Sequence, residues 1–388
     1  MSKVKLNFAG GAGTATGSNF LLEVGKIKIL VDCGLYQGEK IAEAENRDPF
    51  SYDTTSIDFL FITHGHLDHV GRIPKLAKEG FGGTIYSTPA TKDIGELVLK
   101  DSVGLLTREA TREGLPPIYT ESDLDKAMGL WKTIKYHEEL TIDSGDHDIG
   151  NIKVTLYDSG HILGSSMVVF DIKGKRFMFT GDLGNSPSPL LKDTEKVKGV
   201  NYLIMESVYG DRNHDHRDDR VNLLKDTIKD TIRKKGVLMI PAFSIERTQE
   251  LMYVFNQMVE HKEIPLVPVF LDSPLGINIT KVYQKYEKDF NENIESVVKK
   301  GGDVFSFAGL TISKTADDSK AIPLSPSPKI ILAGAGMSNG GRIVYHEARY
   351  LPDPKNTLLL VGYQAAGTMG RKLQDGVKMV RIHGEEVR

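Results

Sequence analysis

The sequence predicts an α/β protein in two parts: two β-sheets packed face to face, then a parallel sheet flanked by helices. Three observations carry this. Up to about Glu206, short β-branched runs alternate with Gly, Asp and Ser turns, the mark of strands in an α+β sandwich. From about Val208 the rhythm changes to strand–helix alternation, which argues for crossover helices on a parallel sheet. The 388 residues exceed one ordinary core and suit two, and the change of rhythm divides them into 1–206 and 207–388.

In chain order, the first part predicts strands in KVKLNFAG, SNFLLEVG, KIKILVDCG, IDFLFITHG, GTIYSTP, NIKVTLYDSG, SSMVVFDIKG, KRFMFTGDLG and NYLIMES. Helical spacing interrupts twice, at HVGRIPKLAKEG and from about Thr91 to Trp131. The second part predicts a charged helix in RDDRVNLLKDTIKDTIRKKG and strands in GVLMIPAF, PLVPVFLDSP, KIILAGAG and NTLLLVGY. Between these strands lie a helix in SIERTQELMYVFNQMVEHKE, a long amphipathic helix from about Ile277 to Lys300, and a helix near Arg342 to Tyr350. ISKTADDSKAIPLSPSPK reads as a Pro/Ser-rich loop.

Composition narrows the classes. With 40% hydrophobic and 26% charged residues the chain is an ordinary globular protein. A net charge of −3 makes the whole surface no magnet for nucleic acid, so a polyanion needs a local basic cleft or metal ions. The single cysteine, Cys33, rules out an intramolecular disulfide and fits a reducing compartment. The N-terminus lacks the apolar core of a signal peptide, and no apolar run is long enough to span a bilayer. The expectation is a cytoplasmic protein with no membrane contact.

The densest chemistry is THGHLDHVG, which places His64, His66, Asp68 and His69 directly after an apolar strand. Imidazole nitrogens and a carboxylate suit zinc or a similar first-row ion. Gly65 is expected to let the backbone turn so that both flanking rings reach one ion, leaving Asp68 and His69 for a second. His161 in YDSGHILGSS and Asp182 in FMFTGDLGN each follow a strand. Singly they read as turn residues; with the first cluster they complete one dinuclear site. Asp182 is the natural bridge, because a carboxylate offers one oxygen to each ion. Asp32 in KILVDCG is the candidate for fixing a ligand histidine's tautomer, while Cys33 reads as a small buried hydrophobe.

These residues resemble the metallo-β-lactamase superfamily: HGHLDH, SGH at His161 and TGD at Asp182 match its second, third and fourth motifs, and Asp32 its first. Glu206 in IMESVYGDR resembles motif A of the β-CASP branch, and PAFSIERTQE, LDSPLG, AGAGMSNGGRIVYH and VGYQAAGTMGRKL are similar to that branch's RNA nucleases. The likeness implies a metallo-β-lactamase αββα sandwich with an inserted parallel-sheet β-CASP domain. It also implies two zinc ions, with manganese or magnesium as alternatives, and RNA as the partner. The expected reaction is phosphodiester hydrolysis by an activated hydroxide, endo- or 5′→3′ exonucleolytic, in RNA processing or decay. Asp68, Asp182 and Glu206 would serve catalysis.

Two departures stand out. The family usually carries Ala where Gly65 stands. It also continues into an SAH segment (motif B) and a VHG segment (motif C), neither of which occurs up to Arg388. His383 in RIHGEEVR looks superficially like the latter but reads as a strand residue. The expectation is a sandwich lacking its C-terminal part, with the second metal position short of one protein ligand and weaker.

Phosphate contacts are sought at Ser244 and Arg247 after PAFS, Arg342 after SNGG and Arg371 after GTMG, all near helix starts. His346 reads as structural, and His214 with His216 as a solvated pair. A homodimer through the parallel-sheet half is a further expectation. Other readings stay open: a DNA-directed nuclease, a small ester or thioester hydrolase, and a catalytically impaired RNA-binding subunit.

Overall fold

The computed structural model describes residues 4–38, 44–211 and 219–388. His214 and His216 lie outside the described residues. By internal contacts the chain divides into two compact units, Met1–Asp211 and Arg212–Arg388.

The first unit holds two sheets. One is β1 (Val4–Gly10), β2 (Asn19–Val24), β3 (Ile27–Val31), β4 (Phe59–Phe61), β5 (Thr84–Ser87) and β6 (Trp131–Thr133), neighbours in that order. Its first three strands are antiparallel and the rest parallel. The other comprises β7 (Leu140–Asp143), β8 (Asn151–Asp158), β9 (Ser166–Ile172), β10 (Lys175–Phe179) and β11 (Tyr202–Ile204). Here only the β10–β11 pair is parallel.

Period-two alternation makes the sandwich. On β8, Ile152, Val154 and Leu156 are buried and pack with Leu22, Val24, Ile29, Val31 and Phe61 of the facing sheet. Each such side chain contributes about 1.5–3 kcal/mol of burial. Phe61 meets Phe170 edge to face, with centroids 5.3 Å apart, joining the two layers.

Helices α1 (Leu67–Val70) and α2 (Ile73–Lys78) follow β4, and α3 (Pro89–Glu113) follows β5. The Thr88 hydroxyl caps α3 by accepting from the Thr91 N–H, and Gly114 ends it at φ +68°. A single helical stretch to Trp131 was expected. Instead Gly114 and the Pro116–Pro117 pair break it, α4 (Glu121–Gly129) restarts it, and Trp131 opens β6.

The second unit is built on β12 (Val237–Pro241), β13 (Val269–Asp272), β14 (Leu310–Ile312), β15 (Lys329–Ala333) and β16 (Thr357–Leu358), all parallel in the order β14-β13-β15-β12-β16. Its helices include α5 (Arg220–Arg233), α6 (Arg247–Glu260), α7 (Pro274–Lys285), α8 (Glu292–Lys299), α9 (Ala316–Ala321), α10 (Ile343–Tyr350) and α11 (Met369–Gln374).

Three local expectations need correction. The long helix is two, because the Asn291 side chain accepts from the Ile294 N–H and starts α8 afresh. The Pro/Ser-rich loop contains α9, nucleated by a Thr315–Asp318 capping box. His383 is a turn residue at φ +53°, joining β17 (Val380–Ile382) to β18 (Glu385–Val387) and stacking on Tyr345.

One buried acid gives the second unit a pH signature. Glu347 on α10 accepts from Ser338 Oγ at 2.5 Å, while its other oxygen has no partner among the described residues. Burial pushes its carboxyl up to about 7. The unfolded chain releases that proton above the ordinary value of 4.5, whereas the folded chain holds it to about 7. Stability therefore falls as pH rises through that window. Urea unfolding at pH 5 and pH 8 checks this: Glu347→Gln should show a smaller loss of stability between the two than the native chain.

Candidate metal centre

The cluster forms where strand ends meet. β4 delivers Thr63–Gly71, the β8–β9 turn delivers His161, and the end of β10 delivers Asp182. His64 Nε2 and His161 Nε2 each stand 3.1 Å from His66 Nδ1. Asp182 Oδ2 lies 3.4 Å from His161 Nε2 and 3.8 Å from His64 Nε2. One ligand atom from each of these four residues falls within 4.8 Å of the others.

Those spacings test the fit of a metal. A tetrahedral ion with ligands at about 2.1 Å has ligand–ligand edges of about 3.4 Å, and the distances above straddle that value. Burial, with His69 nearby, holds His64 well below the usual imidazole range. Burial, with His161 beside it, pushes His66 down to about 3. Both rings thus stay neutral, with lone pairs to donate. The donor set fits a divalent ion.

A second group adjoins the first. Asp182 Oδ1 lies 3.3 Å from His69 Nε2, which is 3.9 Å from Asp68 Oδ2. The Asp182 carboxylate thus faces the three-histidine group with one oxygen and His69 with the other. Burial opposes ionisation of Asp182, but His69, His64 and His161 outweigh it and hold the carboxyl well below the usual range. Burial likewise opposes charge on His69, yet Asp182, Asp32 and Asp68 raise it well above the ordinary imidazole value. Burial lifts Asp68 to about 6 against the pull of His69. Three carboxylates around one imidazole make a place where positive charge is favoured.

Asp32, buried at φ +58°, takes the position expected of it. Its Oδ2 stands 2.7 Å from His69 Nδ1, which leaves Nε2 facing Asp182. Thr63 was missed: its N–H and hydroxyl both donate to Asp32, and its Oγ1 lies 3.1 Å from His64 Nδ1. Its position immediately before the first histidine was the only available signal. Gly65 serves differently from expectation. Its φ is not positive, and a Cβ there would stand 2.6 Å from Ile94 Cγ2, so close packing against α3 is what it permits. Cys33 is fully buried and its thiol is pushed up to about 12 by burial.

Glu206 lines the same cavity as His69 and Asp182. Its carboxylate accepts from the N–H groups of Val208 at 3.1 Å and Leu183 at 3.5 Å, so it also caps the turn after β11.

The other candidates belong to the second unit. Ser244 Oγ lies 3.2 Å from Ser273 Oγ. Arg247, at the start of α6, pairs with Glu250 at 2.5 Å, and Arg371 on α11 pairs with Asp375 at 2.9 Å. Arg342 is held inward, donating to Asp272 at 2.7 Å and to the Ser313 carbonyl at 3.0 Å. His346 is buried and meets the same Asp272 at 2.7 Å. Asp272 itself escaped the sequence reading, since LDSP looks like an ordinary strand-end turn.

A two-sheet sandwich whose strand ends present three imidazoles and a shared carboxylate defines a metal-dependent hydrolase. Residues 12–242 match the metallo-beta-lactamase superfamily and residues 248–373 the Beta-Casp domain. A ribonuclease of Thermus thermophilus is 35% identical over 97% of this chain and 83% of its own length. A transcription termination factor of Methanosarcina mazei is 32% identical over 98% of this chain. Cleavage and polyadenylation specificity factor 73 of Drosophila melanogaster is 30% identical over 97% of it. The chain spans 59% and 53% of the last two. The chain belongs to the metallo-beta-lactamase superfamily, in its Beta-Casp branch.

Two outcomes check the site. Asp32→Ala should weaken zinc binding about 10- to 100-fold, read by competition with a chromophoric chelator, because His69 loses the acceptor that fixes its tautomer. Cys33 should resist a thiol reagent in the native protein at pH 8 and react fully after denaturation.

Proposed function

We propose that this chain hydrolyses RNA phosphodiester bonds with two divalent ions, zinc by ligand chemistry, held at the cluster. The observation that carries the reading is the two-faced Asp182 carboxylate, one oxygen toward His64 and His161 and the other toward His69. His64, His66, His161 and Asp182 would hold one ion, and Asp68, His69 and Asp182 the other. Such ions, when bound, lower the pKa of water and neutralise phosphate charge. The chain's own part is orientation: Asp32 keeps the proton on His69 Nδ1, and Thr63 locks Asp32. Glu206, anchored by two backbone N–H groups, keeps a carboxylate at the cavity wall to position a proton-carrying group.

The choice of RNA is supported by the names of the relatives, a ribonuclease and a cleavage and polyadenylation factor, and by the Beta-Casp match. No helix among the described residues is long and apolar enough to cross a membrane; the cytoplasmic setting we propose rests on the single, buried cysteine. We place the phosphate contacts of the second unit at Ser244 and Arg247, and at Arg371 on its exposed helix.

The test uses end-labelled RNA. The native chain supplied with zinc or manganese should cleave it, leave S-lactoylglutathione intact, and lose activity to a chelator. Asp182→Ala should retain less than about one part in a hundred of the activity with its circular dichroism unchanged. Undiminished cleavage by that variant refutes the assignment.

A further inference from the structure

Beside the cluster lies a cavity of about 290 Å³. His69 and Asp182 line it together with Gly11, Gly13, Thr14 and Ala15. Among the described lining residues there is no lysine or arginine; the titratable groups are Asp32, His69, Asp182 and Glu206. A phosphodiester carries one charge over two non-bridging oxygens. Any oxygen turned away from the cluster needs hydrogen-bond donors from the wall.

Three of the five lining hydroxyls are already engaged. The hydroxyls of Ser18 and Thr63 donate to Asp32, and that of Thr180 donates to the Gly181 carbonyl. The glycine-rich loop differs. None of the backbone N–H groups of residues 12 to 15 donates to a described residue, and all four residues are exposed. Gly11 and Gly13 sit at φ +73° and +74°, with Ala12 between them off the left-handed side. Such alternation turns successive N–H groups into one concavity, the backbone nest that binds anions. The loop is also tied to the cluster, since the Ser18 N–H donates to the Asp68 carbonyl at 2.9 Å. A Cβ at Gly13 would meet nothing within 4 Å, so open space rather than packing surrounds that position.

We propose that the backbone N–H groups of Gly13 to Ala15 form an anion cradle for a non-bridging oxygen of the scissile phosphodiester. This rests on the nuclease reading above. The cradle is neutral, so it binds the developing charge without adding a cation to an acidic wall.

The experiment replaces Gly13 by glycolic acid or Ala15 by lactic acid in the full chain through nonsense suppression, exchanging one N–H for an ester oxygen. With end-labelled RNA, kcat should fall about hundredfold in at least one ester variant while KM and Tm stay near native values. Unchanged kcat in both esters, with the native chain active, overturns the cradle and leaves the nuclease reading standing. No cleavage by the native chain under any metal overturns both. If an ester variant also melts earlier, competition by inorganic phosphate decides. A Ki raised about tenfold supports the cradle, and an unchanged Ki overturns it.

Discussion

Everything at the centre depends on one half-buried carboxylate surrounded by imidazoles. Partial desolvation opposes its charge, yet His69, His64 and His161 hold Asp182 ionised. It in turn fixes where His69, His64 and His161 can stand. A partly desolvated charge is stabilised when paired and hydrogen-bonded. The cluster therefore behaves as a unit: neutral rings on one face of the carboxylate, a ring that favours positive charge on the other. That asymmetry is what distinguishes a metal-binding place from a chance gathering of histidines.

The sandwich exists, for this purpose, to bring strand ends to one edge. Apolar alternation on β8 and β9 buries one face of each strand, and that burial sets the register of everything at their ends. Serine and threonine hydroxyls then stitch the loops together. Thr63 joins the Asp32 turn to the histidine loop, and Thr88 with Thr91 hold the Gly164 carbonyl in the His161 turn. The ligands come from distant stretches of sequence, but rigid neighbours place them.

The strand-rich first part and the strand–helix second part were legible because period two and period 3.6 leave different marks on a chain. HGHLDH was legible because its ligands are consecutive in sequence. What stayed hidden was decided by tertiary partners. β6 and β7 are short and half polar, so pairing rather than pattern defines them. The break before α8 turned on one asparagine side chain. Arg342 looked like a free cation at a helix start. The buried Asp272 that holds it lies 70 residues away, beyond the reach of any local pattern.

The most direct measurement is anomalous diffraction at the zinc edge from crystals of the zinc-loaded chain. Two peaks roughly 3.5–4 Å apart are expected, one against Asp182 Oδ2 among His64, His66 and His161, the other against Oδ1 beside His69 and Asp68. A single peak that leaves Asp182 uncoordinated, or peaks only elsewhere on the surface, would contradict the dinuclear centre.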